Sequence, residues 1–183
     1  QMQPRDSSGP TGEPGPLDGE THARVLDHQP SGMIQAISEK GLYLIRIRSP
    51  AGSSNHAPGT LIELEGVNVL GTTRHRDLSV MAQSELHEVV KANLTANPEV
   101  CLSFYNRAGN LTLKMHAFQL LPGIGNSKAI SMVEIRGRTG WETIASLDEA
   151  CQIDAADLLA DRLCQEIVDP HVTPNLLDLL IRA

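Results

Sequence analysis

The residues best suited to chemistry in this chain form one short stretch, Leu120-Leu121-Pro122-Gly123-Ile124-Gly125, which is followed by a polar helix start. Glycine lacks a Cβ atom, so the backbone here can turn tightly and come close to a bulky partner. The N–H groups freed at such a turn, with those of the next helix's first turn, point outward as ligands for an anion. The spacing is typical of the hairpin of a helix-hairpin-helix motif; an ordinary interhelix turn with glycine caps is the alternative. The motif predicts a phosphate-binding site at Gly123, Ile124, Gly125, Asn126, Ser127 and Lys128, with Ile124 anchored in the core.

Four arginines form a second candidate site. Alternation along residues 43–48 places Arg46 and Arg48 on one face of a strand and apolar side chains on the other. Arg74 and Arg76 end the β-rich region, so all four side chains could converge on one surface that follows phosphates. A solvated polar face is the alternative.

Catalytic, metal and cofactor sites have little support in the sequence. Seven histidines are scattered without the spacing of metal ligands, and Gly123-x-Gly125 lacks the preceding strand and third glycine of a dinucleotide site. Lys128 is similar to the catalytic lysine of helix-hairpin-helix DNA lyases, but Ser127 occupies the lysine position itself. Asp169, the nearest match to their aspartate, follows only after another helix. We expect no catalytic residue, no metal and no cofactor.

The elements that position these residues change character near residue 78. Short alternating runs separated by turn signals predict strands at about 24–27, 33–37, 42–48, 60–65 and 67–70. Helical spacing of apolar residues then predicts helices. Asn97-Pro98-Glu99 is a typical helix start. The predicted helices cover about residues 84–96, 98–107, 113–120, 127–136 and 154–168, with a short turn over 174–181.

Composition limits the class of protein. The 183 residues carry 15 Lys+Arg against 22 Asp+Glu, a net charge of −7. Two Phe, two Tyr and one Trp leave little for a base-stacking platform. No apolar run is long enough to span a membrane, and no signal-peptide pattern is present, so we expect a cytoplasmic protein without membrane partners. The three cysteines lack C-x-x-C spacing and are expected to be buried thiols.

The charge is unevenly distributed along the chain. Residues 1–22 contain four Pro and four Gly with hardly any large apolar residue, which predicts a disordered acidic tail. Residues 23–76 hold six basic and four acidic residues, whereas residues 116–183 hold five and ten. The acidic stretch Asp148–Asp169 is expected to be a solvated helix face; it could also dock a basic protein partner.

From Arg24 onward the sequence resembles the archaeal DUF655 family of predicted nucleic-acid-binding proteins. The match is carried by Val25-Leu26-Asp27, Gln35-Ala36-Ile37 and Ser84-Glu85-Leu86, and most strongly by Phe104–Gly109, Met115-His116 and Leu120–Gly125. Family members usually have a basic pair after the hairpin, where this chain has Asn126-Ser127. Their second hairpin, near Gln152-Ile153-Asp154 here, usually keeps a glycine. Both departures weaken phosphate binding.

The resemblance implies an α+β fold with a small N-terminal OB-like β-barrel and an all-helical helix-hairpin-helix domain. We expect a tail over residues 1–22, the OB-like domain over 23–78, a helical connector over 79–110, the helix-hairpin-helix domain over 111–170 and a short helix or extension over 171–183. The expected function is non-catalytic, sequence-independent binding of the backbone of structured RNA or duplex nucleic acid. The family implies a link to translation or rRNA. The alternatives are a protein–protein module with a vestigial hairpin and, third, a phosphodiesterase or DNA lyase.

Overall fold

Five strands in the first part of the chain form one antiparallel sheet. The computed structural model describes residues 15–50 and 52–182. The strands, β1 to β5, run over His22–His28, Met33–Ser38, Leu44–Arg48, Leu61–Glu63 and Asn68–Thr72. Their order is β4-β1-β2-β3-β5, so β4 and β5 are the edges of an open sheet. All five lie where the alternation of the sequence predicts them.

Strand burial follows the two-residue period of the pleat. In β3, Ile45 and Ile47 are buried while Arg46 and Arg48 are exposed. The central strand β2 is buried at five of its six positions, because both faces of the sheet are covered.

The second part of the chain is helical. Three of the helices begin at a residue whose side chain accepts a backbone N–H of the first turn, namely Ser79, Thr143 and Asp154. Single 3₁₀ turns cover His75–Asp77 and Ala117–Leu120, and a π-helical turn covers Leu177–Ile181. The helices, α1 to α5, run over Val80–Ala96, Pro98–Arg107, Asn126–Arg136, Ile144–Cys151 and Ala155–Val168. The α+β class is therefore confirmed.

One helix prediction was wrong, and one helix was not predicted. The helix expected over 113–120 is only the 3₁₀ turn Ala117–Leu120, because the preceding residues fold back: Leu111 and Thr112 both donate to the Met115 carbonyl. α4 was not predicted, although Thr143 as cap and the apolar spacing of Ile144, Leu147 and Cys151 indicate it.

The buried apolar residues form two clusters, one on each face of the sheet. The larger cluster joins one face, through Leu26 and Ile37, to the helices, while the smaller one lies on the other face. α1 packs against β1 and α5, and a polar link reinforces that contact: Arg24 Nε donates to Asn93 Oδ1 at 2.9 Å. Asn93 Nδ2 donates to the Glu39 carbonyl at 3.0 Å. One face of the sheet and the helices therefore share the larger cluster.

The ordered fold begins earlier than the sequence predicts. Residues 15–22 were expected to belong to the disordered tail, but Leu17 packs against the smaller apolar cluster and β1 begins at His22. Glu20 accepts the N–H groups of Gly41 at 2.6 Å and Lys40 at 3.0 Å. Composition hides these contacts because the partners are distant in sequence. Residues 1–14 lie outside the described part of the chain.

All three cysteines of the sequence lie in the described part of the chain. Cys101 and Cys151 are buried and Cys164 is half-buried, and all three are free thiols. Burial raises the pKa of Cys101 and of Cys164 to about 12, so both thiols stay protonated at neutral pH. Within residues 15–50 and 52–182, no helix combines the length and the apolar character that a bilayer crossing needs.

Candidate nucleic-acid interface

The predicted hairpin is a tight turn between the 3₁₀ turn Ala117–Leu120 and α3. Gly123 has φ +77°, a conformation that favours glycine. Ile124 donates its N–H to the Leu121 carbonyl at 3.2 Å and buries its side chain in the larger cluster. Gly125 follows in extended conformation, with φ −88° and ψ −174°, and caps α3. The anchoring role predicted for Ile124 is what the structure shows.

The start of α3 presents uncommitted backbone donors to solvent. Gly125, Asn126 and Ser127 are exposed, and no side chain caps the helix. Among the described residues, the N–H groups of residues 125–128 have no hydrogen-bond acceptor; the first bond of the helix runs from Ala129 N–H to the Gly125 carbonyl. Donors of this kind, at the positive end of a helix dipole, suit an anion.

A network on the far side of the hairpin fixes its position. His116 Nδ1 accepts the N–H of Phe118 at 3.0 Å, and Gln119 Oε1 accepts the N–H of His116 at 2.9 Å. Arg136, in the last turn of α3, donates to the Tyr105 and Ala108 carbonyls at 3.1 and 2.7 Å. Its guanidinium also lies 5.4 Å from the centre of the Phe118 ring. The turn before the hairpin and the helix after it are thus held together.

Lys128 does not face the same way as the free N–H groups. Its side chain is half-buried, and Nζ donates to the carbonyl of Cys151 at the end of α4. The ammonium therefore stabilises the negative end of the α4 dipole. The hairpin itself presents neutral donors and no free cation, which matches the Asn126-Ser127 departure noted in the sequence.

The four arginines fall into two pairs. Arg46 and Arg48 are exposed on β3, opposite Gly71 and Asn68 of the edge strand. Arg74 and Arg76 follow β5 and line a cleft of about 710 Å³, which Arg46 and Arg48 do not line. Arg74 Nε lies 3.3 Å from Asp77 Oδ2 in an exposed ion pair. Alternation placed the first pair correctly, but sequence could not show that the second pair borders a cavity.

Comparison with known proteins places the sequence in a family. The family model described as "Protein of unknown function (DUF655)" matches residues 18–176. The chain belongs to the DUF655 family. The matched region includes the hairpin and all four arginines, and the resemblance seen in the sequence is confirmed.

A solved structure shares the fold of this DUF655 protein. It is the crystal structure of Af1531 from Archaeoglobus fulgidus, a DUF655 protein, with 21% sequence identity and a TM-score of 0.78. The match covers 90% of this chain and 100% of that one. Because the sequence identity is low, this similarity shows a common fold and nothing more. No protein of curated function matches the sequence.

The sequence predicts a second, degenerate hairpin near residues 152–154, and in the structure these residues form the turn that joins α4 to α5. Gln152 follows α4 in the left-handed conformation, with φ +55°. Asp154 caps α5, and its carboxylate lies 2.9 Å from the ammonium of Lys91. The hydrogen bond from Lys91 holds the pKa of Asp154 below its usual range, so this turn carries a negative charge at neutral pH.

Several carboxylates of the acidic stretch Asp148–Asp169 form hydrogen bonds or ion pairs within the fold. Asp148 accepts the N–H of Ala155 at 2.7 Å, and Asp157 lies 3.5 Å from Lys91. Glu166 is buried and pairs with Arg162 at 2.9 Å. Fewer of these acids are available to a basic partner than the sequence indicates.

One cluster brings together groups that can bind metals, which the spacing did not predict. Potential ligand atoms of His87, Glu88 and Asp157 lie within 4.8 Å of one another across α1 and α5. The Lys91 ammonium, 3.5 Å from Asp157, opposes a cation there. The arrangement is that of an ion-pair network between two helices.

The structure contains a groove beside the hairpin that the sequence did not predict. It measures about 860 Å³ and lies between the loop 109–116 and α3, starting at Asn126. Leu113 is fully exposed at its rim, and Ile130 is half exposed. No local pattern of the sequence distinguishes Leu113 and Ile130 from the buried apolar residues near them.

Proposed function

We propose that this protein binds nucleic acid without catalysing a reaction on it, through phosphodiester contacts at residues 123–127. The observation that carries the proposal is the start of α3, where exposed backbone N–H groups have no acceptor and no side-chain cap. An exposed glycine at the cap allows the phosphate to approach closely, since a Cβ atom built at Gly125 meets nothing within 4 Å.

We infer further that the two parts of the fold are an OB-like sheet and a helix-hairpin-helix unit. Five antiparallel strands in the order β4-β1-β2-β3-β5 suit a small, partly open barrel that would close between β4 and β5. In the second unit, the 3₁₀ turn Ala117–Leu120 would take the place of the first helix and α3 that of the second.

The expected ligand is the backbone of structured RNA or of a duplex. Amide donors and the arginines Arg46 and Arg48 contact phosphate but do not distinguish bases. Four of the five aromatic side chains are buried and cannot stack on a base, namely those of Phe104, Tyr105, Phe118 and Trp141. A role connected with translation or rRNA is part of the same proposal.

The test compares Gly125→Val with Gly19→Val. Both glycines are exposed, and a Cβ atom at either position meets nothing within 4 Å, so both variants should fold. The valine at position 125 would stand between the N–H groups and a phosphate. We expect Gly125→Val to weaken binding of duplex DNA and structured RNA about tenfold or more at about 50 mM salt, and Gly19→Val to bind like wild type.

Circular dichroism checks that each variant is folded. Wild-type affinity in folded Gly125→Val would exclude the hairpin as the contact site. Equal losses in both variants would point to a general effect of the substitution and would also contradict the proposal.

The second candidate function is docking of a protein segment, and the groove beside the hairpin favours it. Leu113 and Ile130 expose apolar side chains at the same groove, which offers a surface for an apolar segment of a partner. A stoichiometric protein partner whose binding is lost in Ile130→Glu but kept in Gly125→Val would support this function. The third, a phosphodiesterase or lyase, gains no support: Lys128, its nearest catalytic candidate, is bonded to a carbonyl.

A further inference from the structure

The cleft that Arg74 and Arg76 line lies between four parts of the chain, one of which contributes only Pro16. One wall is the turn 74–77, which leads from β5 to α1; the opposite wall is the end of α5 and the chain after it. Residues 42–44, at the start of β3, form the floor. Its volume of about 710 Å³ is that of a small-molecule site and is too small for a duplex.

The wall that carries the two arginines is fixed on both sides. Thr73 donates its N–H to the Leu44 carbonyl at 2.9 Å, which extends the pairing of β5 with β3. On the other side, Gln83 Nε2 of α1 donates to the His75 carbonyl at 3.0 Å and to the Leu78 carbonyl at 3.3 Å. The backbone that presents Arg74 and Arg76 is therefore positioned before any ligand arrives.

The opposite wall is tied to the floor by the end of the chain. Arg182 Nε donates to the Gly41 carbonyl at 2.8 Å and its terminal nitrogen donates to the Leu42 carbonyl at 2.9 Å. The guanidinium lies 4.0 Å above the Tyr43 ring. The buried Glu166 carboxylate, which also borders the cleft, is matched by Arg162 and by the N–H of Leu177 at 2.9 Å. Its charge does not act on a ligand unopposed.

The cleft combines cations at one wall with an apolar interior. Arg76 is exposed and forms no ion pair with any described residue. Arg74 forms one ion pair among the described residues, with the exposed side chain of Asp77. Leu44 and Ile167 line the interior, while the wall opposite the arginines also carries the exposed carboxylate of Asp178. Arg76 and Arg74 suit the two charges of a phosphomonoester, and the apolar lining suits the uncharged body attached to it.

We propose that this cleft binds a single terminal nucleotide by its phosphate, with the phosphate on Arg74 and Arg76 and the nucleoside on the apolar floor. The ligand is either a free nucleoside monophosphate or the phosphorylated end of a single strand. The inference rests on the proposed function only in that its ligand is a component of nucleic acid; it makes no use of the hairpin.

The experiment measures binding of three short single-stranded oligoribonucleotides of one sequence, carrying a 5′-phosphate, a 3′-phosphate or neither. Wild type is compared with Arg76→Ala and with Arg138→Ala, which removes an equal charge from an exposed site outside the cleft. We expect a terminal phosphate at one end to tighten binding about tenfold, Arg76→Ala to abolish that preference and Arg138→Ala to keep it. Competition by adenosine monophosphate would identify the free nucleotide as a ligand, and its failure to compete would identify the strand end.

Three results would overturn the inference. Equal binding of all three strands would show that no terminal phosphate is recognised, and absence of binding would do the same. Equal weakening by Arg138→Ala and Arg76→Ala would reduce the effect to net charge. The Gly125→Val variant separates the two proposals: it should lose duplex binding and keep the preference for a terminal phosphate.

Discussion

Gly41 and Gly125 differ in the space that is available for a side chain. A Cβ atom on Gly41 would lie 2.4 Å from Tyr43 Cε2 and 3.0 Å from Glu20 Oε1, whereas one on Gly125 would meet nothing within 4 Å. We expect Gly41→Ala to lower the free energy of unfolding by about 1–3 kcal/mol, because the Tyr43 ring must move. Gly125→Ala should change it by less than about 0.5 kcal/mol. Urea denaturation measures both, and equal stability of the two variants would contradict the packing described at Gly41.

Lys128 acts on the fold more than on a ligand. Removing its ammonium leaves the Cys151 carbonyl without its charged donor, so we expect Lys128→Ala to cost about 1 kcal/mol of stability. The salt dependence of nucleic-acid binding should change little, because this cation is already engaged. Lys114→Ala, at an exposed position, is the control for stability. A salt slope flattened by about one unit in Lys128→Ala would instead place Lys128 on a phosphate.

At the scale of elements, the 3₁₀ turn Ala117–Leu120 positions the hairpin and depends on one neutral histidine. Burial, and then the charge of Arg136, lower the pKa of His116 from its ordinary 6.5, while a hydrogen bond to the Ala108 carbonyl opposes the shift. His116 Nδ1 must be unprotonated to accept the N–H of Phe118. Since the unfolded chain takes up this proton first, the stabilisation is complete above about pH 6.5 and is lost as the pH falls below it.

This cap predicts a pH-dependent stability. Between about pH 7.5 and about pH 5.5 the thermal midpoint of the wild type should fall, and it should fall less in His116→Asn. Asparagine can cap the turn but does not titrate. Calorimetry at several pH values measures the difference. An identical pH dependence in both proteins would show that the cap does not depend on the protonation of His116.

At the scale of the whole molecule, the contacts of Leu17 and Glu20 tie the segment before β1 to the rest of the fold. We expect deletion of residues 1–14 to shift the thermal midpoint by no more than about 2 °C, because that stretch is Pro- and Gly-rich and has almost no apolar residue to bury. Deletion of residues 1–22 should lower it by about 5 °C or more. The longer deletion removes Leu17, Glu20 and the first residue of β1. Similar midpoints for the two truncated proteins would show that these contacts add nothing.

The net charge of −7 opposes the binding of nucleic acid, because the phosphate backbone is also negative. Backbone amides position a phosphate but displace few counterions, and Arg46 and Arg48 are the exposed cations outside the cleft that we assign to the interface. The affinity for duplex should therefore fall with salt at a shallow log–log slope of about −2, as expected for two neutralised phosphates. Anisotropy titrations across a salt series measure it. A much steeper slope, or strong sequence selectivity, would require contacts that this interface does not contain.

The sequence alone determined the features that depend on neighbouring residues. Alternation along each strand located all five strands and put Arg46 and Arg48 on the exposed face, because the pleat has a fixed two-residue period. The Gly123-Ile124-Gly125 spacing located the hairpin and the anchor, since both are set within three residues. Landmarks in order along the chain identified the family.

Only the tertiary structure decided which groups remain free. Lys128 follows the hairpin in sequence, yet its charge is bound by a carbonyl 23 positions away. Arg74 and Arg76 border a cleft because Arg182 fastens the other end of the chain to residues 41 and 42. Glu20 belongs to the fold through its contacts with residues 40 and 41. Such pairings join residues far apart in the chain, and no local pattern encodes them; they exist only once the shared core has brought sheet and helices together.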